Sequence, residues 1–131
     1  MSKVPDDLQY TKSHEWLRTL PDGGVEIGIT DHAQQALGDL VFVEMPQVGR
    51  EVKAGEACAV VESVKAASDI YSPVAGRVAA RNDELAKTPE LLNSDPYGAG
   101  WLMRVDRGSA PAAANPLLTA AEYAQFVKEA G

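Results

Sequence analysis

Short apolar segments separated by glycine, proline and asparagine fill the middle of the chain, and this spacing constrains the fold more than any other feature. Four segments have the length and apolar content of strands: Leu40–Glu44, Cys58–Glu62, Ser68–Tyr71 and Arg77–Ala80. Turn signals lie between them, namely Val48-Gly49, Ala54-Gly55 and the predicted turn region Ser72–Gly76. Many short strands at close spacing are typical of a β-sandwich or barrel, so we predict a mainly β protein.

Further elements flank this region on both sides. Three more strands are predicted, at His14–Leu20, Val25–Ile29 and Trp101–Val105. Thr30–Gly38 has a capping residue at its start and a glycine at its end, which predicts a short helix. Thr119 and Glu122 form a capping box, which predicts a second helix to about residue 130.

The chain has 131 residues, which suits a single domain with one core. We place this core at about residues 10–105, a linker rich in alanine and proline at about 108–116, and the C-terminal helix at about 119–130. Residues 1–12 are polar and are expected to be loosely held.

The formal net charge of -7 argues against a nucleic-acid partner, because binding phosphates requires a basic face. No apolar run is long enough to span a membrane, and no basic leader precedes the fold, so a cytoplasmic location is expected. The single cysteine, Cys58, excludes an internal disulfide and is expected to be buried. The two histidines, His14 and His32, are too few for a convincing metal site, so no metal is expected.

Lys65 is the residue with the clearest functional signal. It follows Glu62, Ser63 and Val64 and precedes Ala66, between two stretches with similarly placed turns. A lysine nucleophile needs desolvation or a cationic neighbour, because its ordinary pKa is about 10.4. An attachment site needs only exposure, a rigid support and a readable flanking sequence, and a tight hairpin supplies all three. We therefore predict that Lys65 carries a covalent group and that the protein has no catalytic residue of its own.

Several separated motifs resemble one family, the H proteins of the glycine cleavage system. They are Ser13-His14-Glu15-Trp16, the run from Gly28 to Gln34, Leu37-Gly38-Asp39, Glu62-Ser63-Val64-Lys65-Ala66, Ser72-Pro73-Val74 with Gly76, and Asn93-Ser94 followed by Pro96-Tyr97-Gly98 and Gly100-Trp101. The resemblance covers about Tyr10 to Val105. It implies a lipoyl/biotinyl-type barrel-sandwich hybrid of two small antiparallel sheets, with short helices and a C-terminal helix.

The resemblance also implies a function. Lys65 would carry lipoate in amide linkage, loaded by a lipoate ligase or a lipoyl/octanoyl transferase. The arm would take an aminomethyl group from the pyridoxal-phosphate glycine decarboxylase (P protein) to the tetrahydrofolate-dependent aminomethyltransferase (T protein). Dihydrolipoamide dehydrogenase (L protein) would then reoxidise the arm. The chain would be a non-catalytic carrier, and a monomer.

The family shelters its loaded arm in a cleft, and the matching positions here are Glu15, His32 and Asp69. A cationic aminomethylated arm would be attracted to the two carboxylates, and His32 could donate or accept hydrogen bonds. The alternative for each is an ordinary surface residue exposed to water.

Other functions stay open at this point. A lipoyl donor that passes its group to other enzymes would use the same lysine. A biotin carrier is disfavoured because that family flanks its lysine with methionines. A lipoyl module of a 2-oxoacid dehydrogenase is disfavoured because no acyltransferase domain follows and aspartate is absent immediately before Lys65.

Overall fold

A computed structural model describes residues 4–21, 24–106 and 117–130 of the chain. The strands are β1 (Gln9–Tyr10), β2 (Glu15–Thr19), β3 (Val25–Ile29), β4 (Leu40–Glu44), β5 (Glu51–Val52), β6 (Ala57–Ser63), β7 (Ala67–Tyr71), β8 (Gly76–Arg81) and β9 (Met103–Asp106). The helices are α1 (Asp31–Leu37), α2 (Glu84–Lys87), α3 (Leu91–Ser94) and α4 (Ala120–Ala130). The linker predicted at 108–116 lies outside the described residues.

Two antiparallel sheets form the body of the protein, which confirms the predicted fold class. One sheet has six strands in the order β1-β2-β3-β9-β8-β5, and the other has three in the order β4-β6-β7. Buried residues of β3, β8 and β9 form one core cluster around Ile27, Val78 and Met103. A second cluster joins β4, β6 and β7 to the short helices α2 and α3. The three-stranded sheet is therefore anchored through its buried residues, while Phe42, Glu44 and Glu62 on β4 and β6 are exposed.

Local sequence explains how the helices begin and end. Thr30 Oγ1 accepts a hydrogen bond from the amide of Ala33, as the predicted cap of α1 requires. Gly38 ends the helix with a φ of 84°, a backbone conformation that favours glycine. At α4, the amide of Thr119 donates to Glu122 Oε1 at 2.9 Å, and the amide of Glu122 donates to Thr119 Oγ1 at 3.2 Å. These reciprocal bonds confirm the predicted capping box.

The apolar stripe of α4, formed by Tyr123, Phe126 and Val127, packs on the β1–β2 end of the larger sheet. Tyr123 is fully buried and stacks on Tyr10 with a ring separation of 4.8 Å. Phe126 and Val127 pack against the same cluster, which includes the buried Trp16. The helix therefore closes one end of the six-stranded sheet.

Three sequence expectations were wrong in detail. The described part of the N-terminal segment is not loosely held, because Tyr10 is buried and pairs through its backbone with Leu118. Gly76 begins β8 instead of ending a turn. Glycine is needed there because a Cβ would lie 2.4 Å from the carbonyl oxygen of Asp106 on β9. The last strand begins at Met103 and not at Trp101.

None of the described helices is both long enough and apolar enough to cross a membrane.

Candidate functional site

Lys65 lies at the tip of the hairpin that joins β6 to β7. Glu62 and Ala67 are the last paired residues of the two strands, and the amide of Ser63 donates to the carbonyl of Ala66 at 2.7 Å. Val64 and Lys65 occupy the two central positions of this turn, and both are exposed. The structure thus places the predicted attachment residue at the outermost bend of the smaller sheet.

The side chain of Ser63 holds this tip together. Its hydroxyl oxygen accepts hydrogen bonds from the amides of Lys65 and Ala66, at 3.2 and 3.1 Å. The same hydroxyl lies 3.2 Å from the carbonyl oxygen of Ala66, to which it can donate. Neither central residue has a positive φ, so the turn is not one of the mirror-image types that hairpins favour. Ser63 supplies local bonds that stabilise this less common turn.

A second contact fixes the tip to the end of α1. The amide of Val64 donates to the carbonyl of Asp39 at 3.2 Å. The aliphatic stem of Lys65 passes over Gly38, where a Cβ would lie 3.8 Å from Lys65 Cε. No hydrogen bond or ion pair joins the Lys65 ammonium to any of the described residues. The amine is therefore supported at its base and open at its end, as acylation by another enzyme requires.

Glu15, the first predicted cleft residue, is buried with 1% of its surface exposed. Its Oε1 accepts hydrogen bonds from the hydroxyls of Thr11 and Ser13, each at 2.6 Å. Its Oε2 accepts from the amide of Tyr71 at 3.3 Å, which connects β2 to the open edge of β7. Burial raises the pKa of Glu15, although these hydrogen bonds oppose the shift. The alternative of a solvated carboxylate at this position is therefore wrong.

His32, the second predicted cleft residue, is half-buried near the start of α1. Its ring lies 4.8 Å from the ring of His14. His14 has a φ of 70°, which is unusual for a residue with a side chain, and its Nδ1 lies 2.7 Å from the hydroxyl of Tyr123. Burial and the neighbouring His32 lower the pKa of His14. His32 is thus part of a packed aromatic cluster that includes helix α4.

Asp69, the third predicted cleft residue, is exposed on β7. It lines a groove of about 460 Å³ next to β4 and β6, together with Glu44, Arg50, Cys58 and Val60. The thiol of Cys58 is buried, as predicted, and its burial raises its pKa to about 12, so it is a poor nucleophile.

The structure brings the three cleft candidates together only in part. Asp69 and Tyr71 belong to the same strand, and the amide of Tyr71 donates to Glu15. The ring of His32 instead packs against the ring of His14, the residue before Glu15. No hydrogen bond or ion pair joins any two of the three within the described ranges. The sequence reasoning also missed Thr11 and Ser13 as the partners of Glu15, although hydroxyl residues two and four positions before a strand carboxylate were a usable signal.

Comparisons with known proteins find similar sequences in one family. The family model described as "Glycine cleavage H-protein" matches residues 8–130 of the chain. A "Glycine cleavage system H protein" from Halorhodospira halophila is 55% identical over 131 residues, covering 100% of both chains. A protein of the same name from Azoarcus sp. is 59% identical over 129 residues, covering 98% of this chain and 100% of its own.

A solved structure shows the same architecture. The crystal structure of a glycine cleavage system H protein from Mycobacterium marinum superimposes with a TM-score of 0.86 at 45% sequence identity. The match covers 95% of this chain and 99% of that chain. Similarity of sequence and of fold therefore extends over nearly the whole length of the chain.

Proposed function

This chain belongs to the glycine cleavage H-protein family, and from that premise we propose that Lys65 is its lipoyl attachment site. The family carries lipoyl-lysine, and the chain is a non-catalytic lipoyl carrier of the glycine cleavage system. The observation that supports Lys65 is its position at a rigid hairpin tip, with an amine that no described residue binds.

Acylation needs a free amine more than it needs a catalytic environment. The neutral Lys65 amine would attack the carbonyl carbon of an activated lipoyl ester, the activating group would leave, and the new amide would release one proton. The protein's part is to present the amine, and the Ser63 hydrogen bonds and the Asp39 contact hold the backbone while the side chain extends. Preorganisation of this kind lowers the cost of ordering the tip when an enzyme engages it.

The bound lipoyl group would supply reversible disulfide and thioether chemistry at the end of a long arm. In this role the protein is a component of the glycine cleavage system, whose P, T and L proteins are its partners. One tethered arm shared by three active sites gives each of them a high local concentration of its substrate. The net charge of -7 favours fast association with basic surfaces of these partners. A lipoate ligase or a lipoyl/octanoyl transferase would load the arm.

The proposal includes the arm-docking cleft of Glu15, His32 and Asp69. Its support is electrostatic, because a buried carboxylate at the base of the hairpin and an exposed one on β7 both attract a cationic arm. His32→Ala should shorten the lifetime of the aminomethylated protein without slowing lipoylation. Equal rates of ammonia release from the isolated wild-type and variant intermediates would contradict this part of the proposal.

The attachment site is tested with Lys65→Arg, which keeps the positive charge but lacks a primary amine. The matched control is Lys87→Arg, at an exposed lysine on α2. Both proteins are incubated with lipoate, ATP and a lipoate ligase, and intact mass and peptide mapping are recorded. We expect the control and the wild type to gain one lipoyl group at Lys65 and Lys65→Arg to gain none. A lipoylated Lys65→Arg variant would refute the assignment.

A further inference from the structure

An exposed apolar patch lies beside the hairpin tip. It consists of Val41 and Phe42 on β4 and Val64 in the turn, with exposed fractions of 53, 52 and 73%. Val64 is tied to this strand because its amide donates to the carbonyl of Asp39, two residues before Val41. Clustered exposed apolar side chains mark interaction sites more often than isolated ones do.

A β-bulge produces the patch. Leu40 pairs with Ser63 and Phe42 pairs with Glu62, so β4 advances two residues while β6 advances one. Val41 is the extra residue, and both Val41 and Phe42 face solvent while Leu40 and Val43 remain buried. Regular alternation would expose only one of the two central residues. Bulges of this kind redirect side chains and are frequent beside functional sites.

Carboxylates surround the apolar centre. Glu62 lies directly across from Phe42, and Glu44 lies two residues further along the same strand. Asp39 precedes the bulge, and all three acidic residues are exposed. None of them forms an ion pair with another described residue. The surface therefore complements a partner that has an apolar depression flanked by lysine or arginine.

We propose that this patch is the docking surface for the enzyme that acylates Lys65. This inference rests on the proposed function. The acylating enzyme forms its bond at Lys65 Nζ and must therefore cover the hairpin tip and the surface next to it. The enzymes that use the loaded arm react at its distal end, so they can bind the protein further from the tip. Phe42 is the anchor, because aromatic residues at the centre of an interface contribute most to binding.

The test compares acylation kinetics of three full-length variants with the wild type. Phe42→Thr removes the aromatic ring, and Val41→Thr keeps the side-chain shape but makes it polar. The matched control is Val48→Thr, which changes another exposed valine, 58% exposed and beyond the far end of β4. A purified lipoate ligase with lipoate and ATP supplies the activity, and intact mass gives the initial rates.

We expect Phe42→Thr to lower kcat/KM for acylation by about tenfold or more, mainly through KM. Val41→Thr should give a smaller loss in the same direction, and Val48→Thr should match the wild type. Prolonged incubation should still load Phe42→Thr completely, which shows that its Lys65 is intact. After chemical reduction of its lipoyl disulfide to the dithiol, the loaded variant should be reoxidised by dihydrolipoamide dehydrogenase, with NAD as the electron acceptor, at the wild-type rate.

Three results would overturn the proposal: wild-type acylation kinetics for Phe42→Thr, an equal loss for Val48→Thr, or an equal loss with dihydrolipoamide dehydrogenase. The last would mean that the patch serves partners in general. The proposed function fails separately, if the wild-type protein itself is not acylated at Lys65. Acylation of the wild type together with unchanged kinetics for Phe42→Thr removes only the docking surface.

Discussion

Replacing Ser63 with alanine should loosen the hairpin tip without unfolding it. The substitution removes three contacts of 3.1 to 3.2 Å that the hydroxyl makes within the turn. The backbone bond from the Ser63 amide to the Ala66 carbonyl, at 2.7 Å, is kept. The turn should therefore still form, but with fewer bonds to hold Val64 and Lys65 in one conformation.

The magnitude follows from the length and exposure of these contacts. A typical hydrogen bond contributes about 0.5–1.5 kcal/mol net, and these three are at the long end of the usual range. Water can also replace the hydroxyl at the amides of Lys65 and Ala66, because both residues are exposed. We expect Ser63→Ala to lower the free energy of unfolding by about 1 kcal/mol, which is roughly 4 °C in Tm for a domain of this size. If the ligase must reorder the tip, kcat/KM for lipoylation should fall by up to about fivefold.

Urea denaturation and initial lipoylation rates measure the two effects. The control is Ser68→Ala, which removes a hydroxyl from the same hairpin at a position where the structure shows no side-chain hydrogen bond. Should Ser63→Ala and Ser68→Ala prove equal in both stability and lipoylation rate, the hydroxyl does not organise the tip and the reasoning is refuted.

Three other substitutions test the packing and charges around the site. Gly28→Ala should lower the free energy of unfolding, measured in urea, by about 1–3 kcal/mol, because its Cβ would lie 2.6 Å from the ring of Trp16. A variant whose stability is within about 0.5 kcal/mol of the wild type would contradict this. Tyr123→Phe should cost about 1–3 kcal/mol in the same assay, since it removes the 2.7 Å bonds of the Tyr123 hydroxyl to the buried Thr30 hydroxyl and to His14 Nδ1. An unchanged midpoint would argue against these bonds. Burial raises the pKa of Glu15, so its contribution to stability is fully present below its unfolded pKa and is lost as the pH rises through its folded pKa. The stability of the wild type relative to Glu15→Gln should therefore increase as the pH falls from about 7 to about 4, and a constant difference would contradict the shift.

Local signals in the sequence were sufficient for much of the fold. Thr30 and Thr119 act as the helix caps that their positions predict, and Gly49 and Gly55 adopt the positive φ values expected of turn glycines. Such features depend on residues within a few positions of one another. The position of Lys65 at a hairpin tip was predictable for the same reason, because the strands on both sides are short and close in sequence.

Features that depend on distant contacts were not predictable in this way. The burial of Glu15 depends on Tyr71, which is 56 residues away in the chain. The β4 bulge was hidden because Leu40–Val43 is a continuous apolar run, which gives no sign of which residues face outward. Gly76 looked like a turn residue because its need for a missing Cβ arises from Asp106 on another strand. In each case a partner far along the chain determines the outcome.

The position of Glu15 suggests why a carboxylate, and not an amide, connects the two sheets. A buried negative charge is costly even when both of its oxygens accept hydrogen bonds, and the raised pKa of Glu15 reflects that cost. Structural bridging to Tyr71 alone would require only an acceptor. A nearby cation stabilises a carboxylate more than it stabilises an amide, because the opposite charge favours the ionised form and lowers the pKa that burial has raised. Under the proposed function, the cationic aminomethylated arm supplies that charge, so a loaded arm offsets more of the cost of burying Glu15 than the hydrogen bonds do alone.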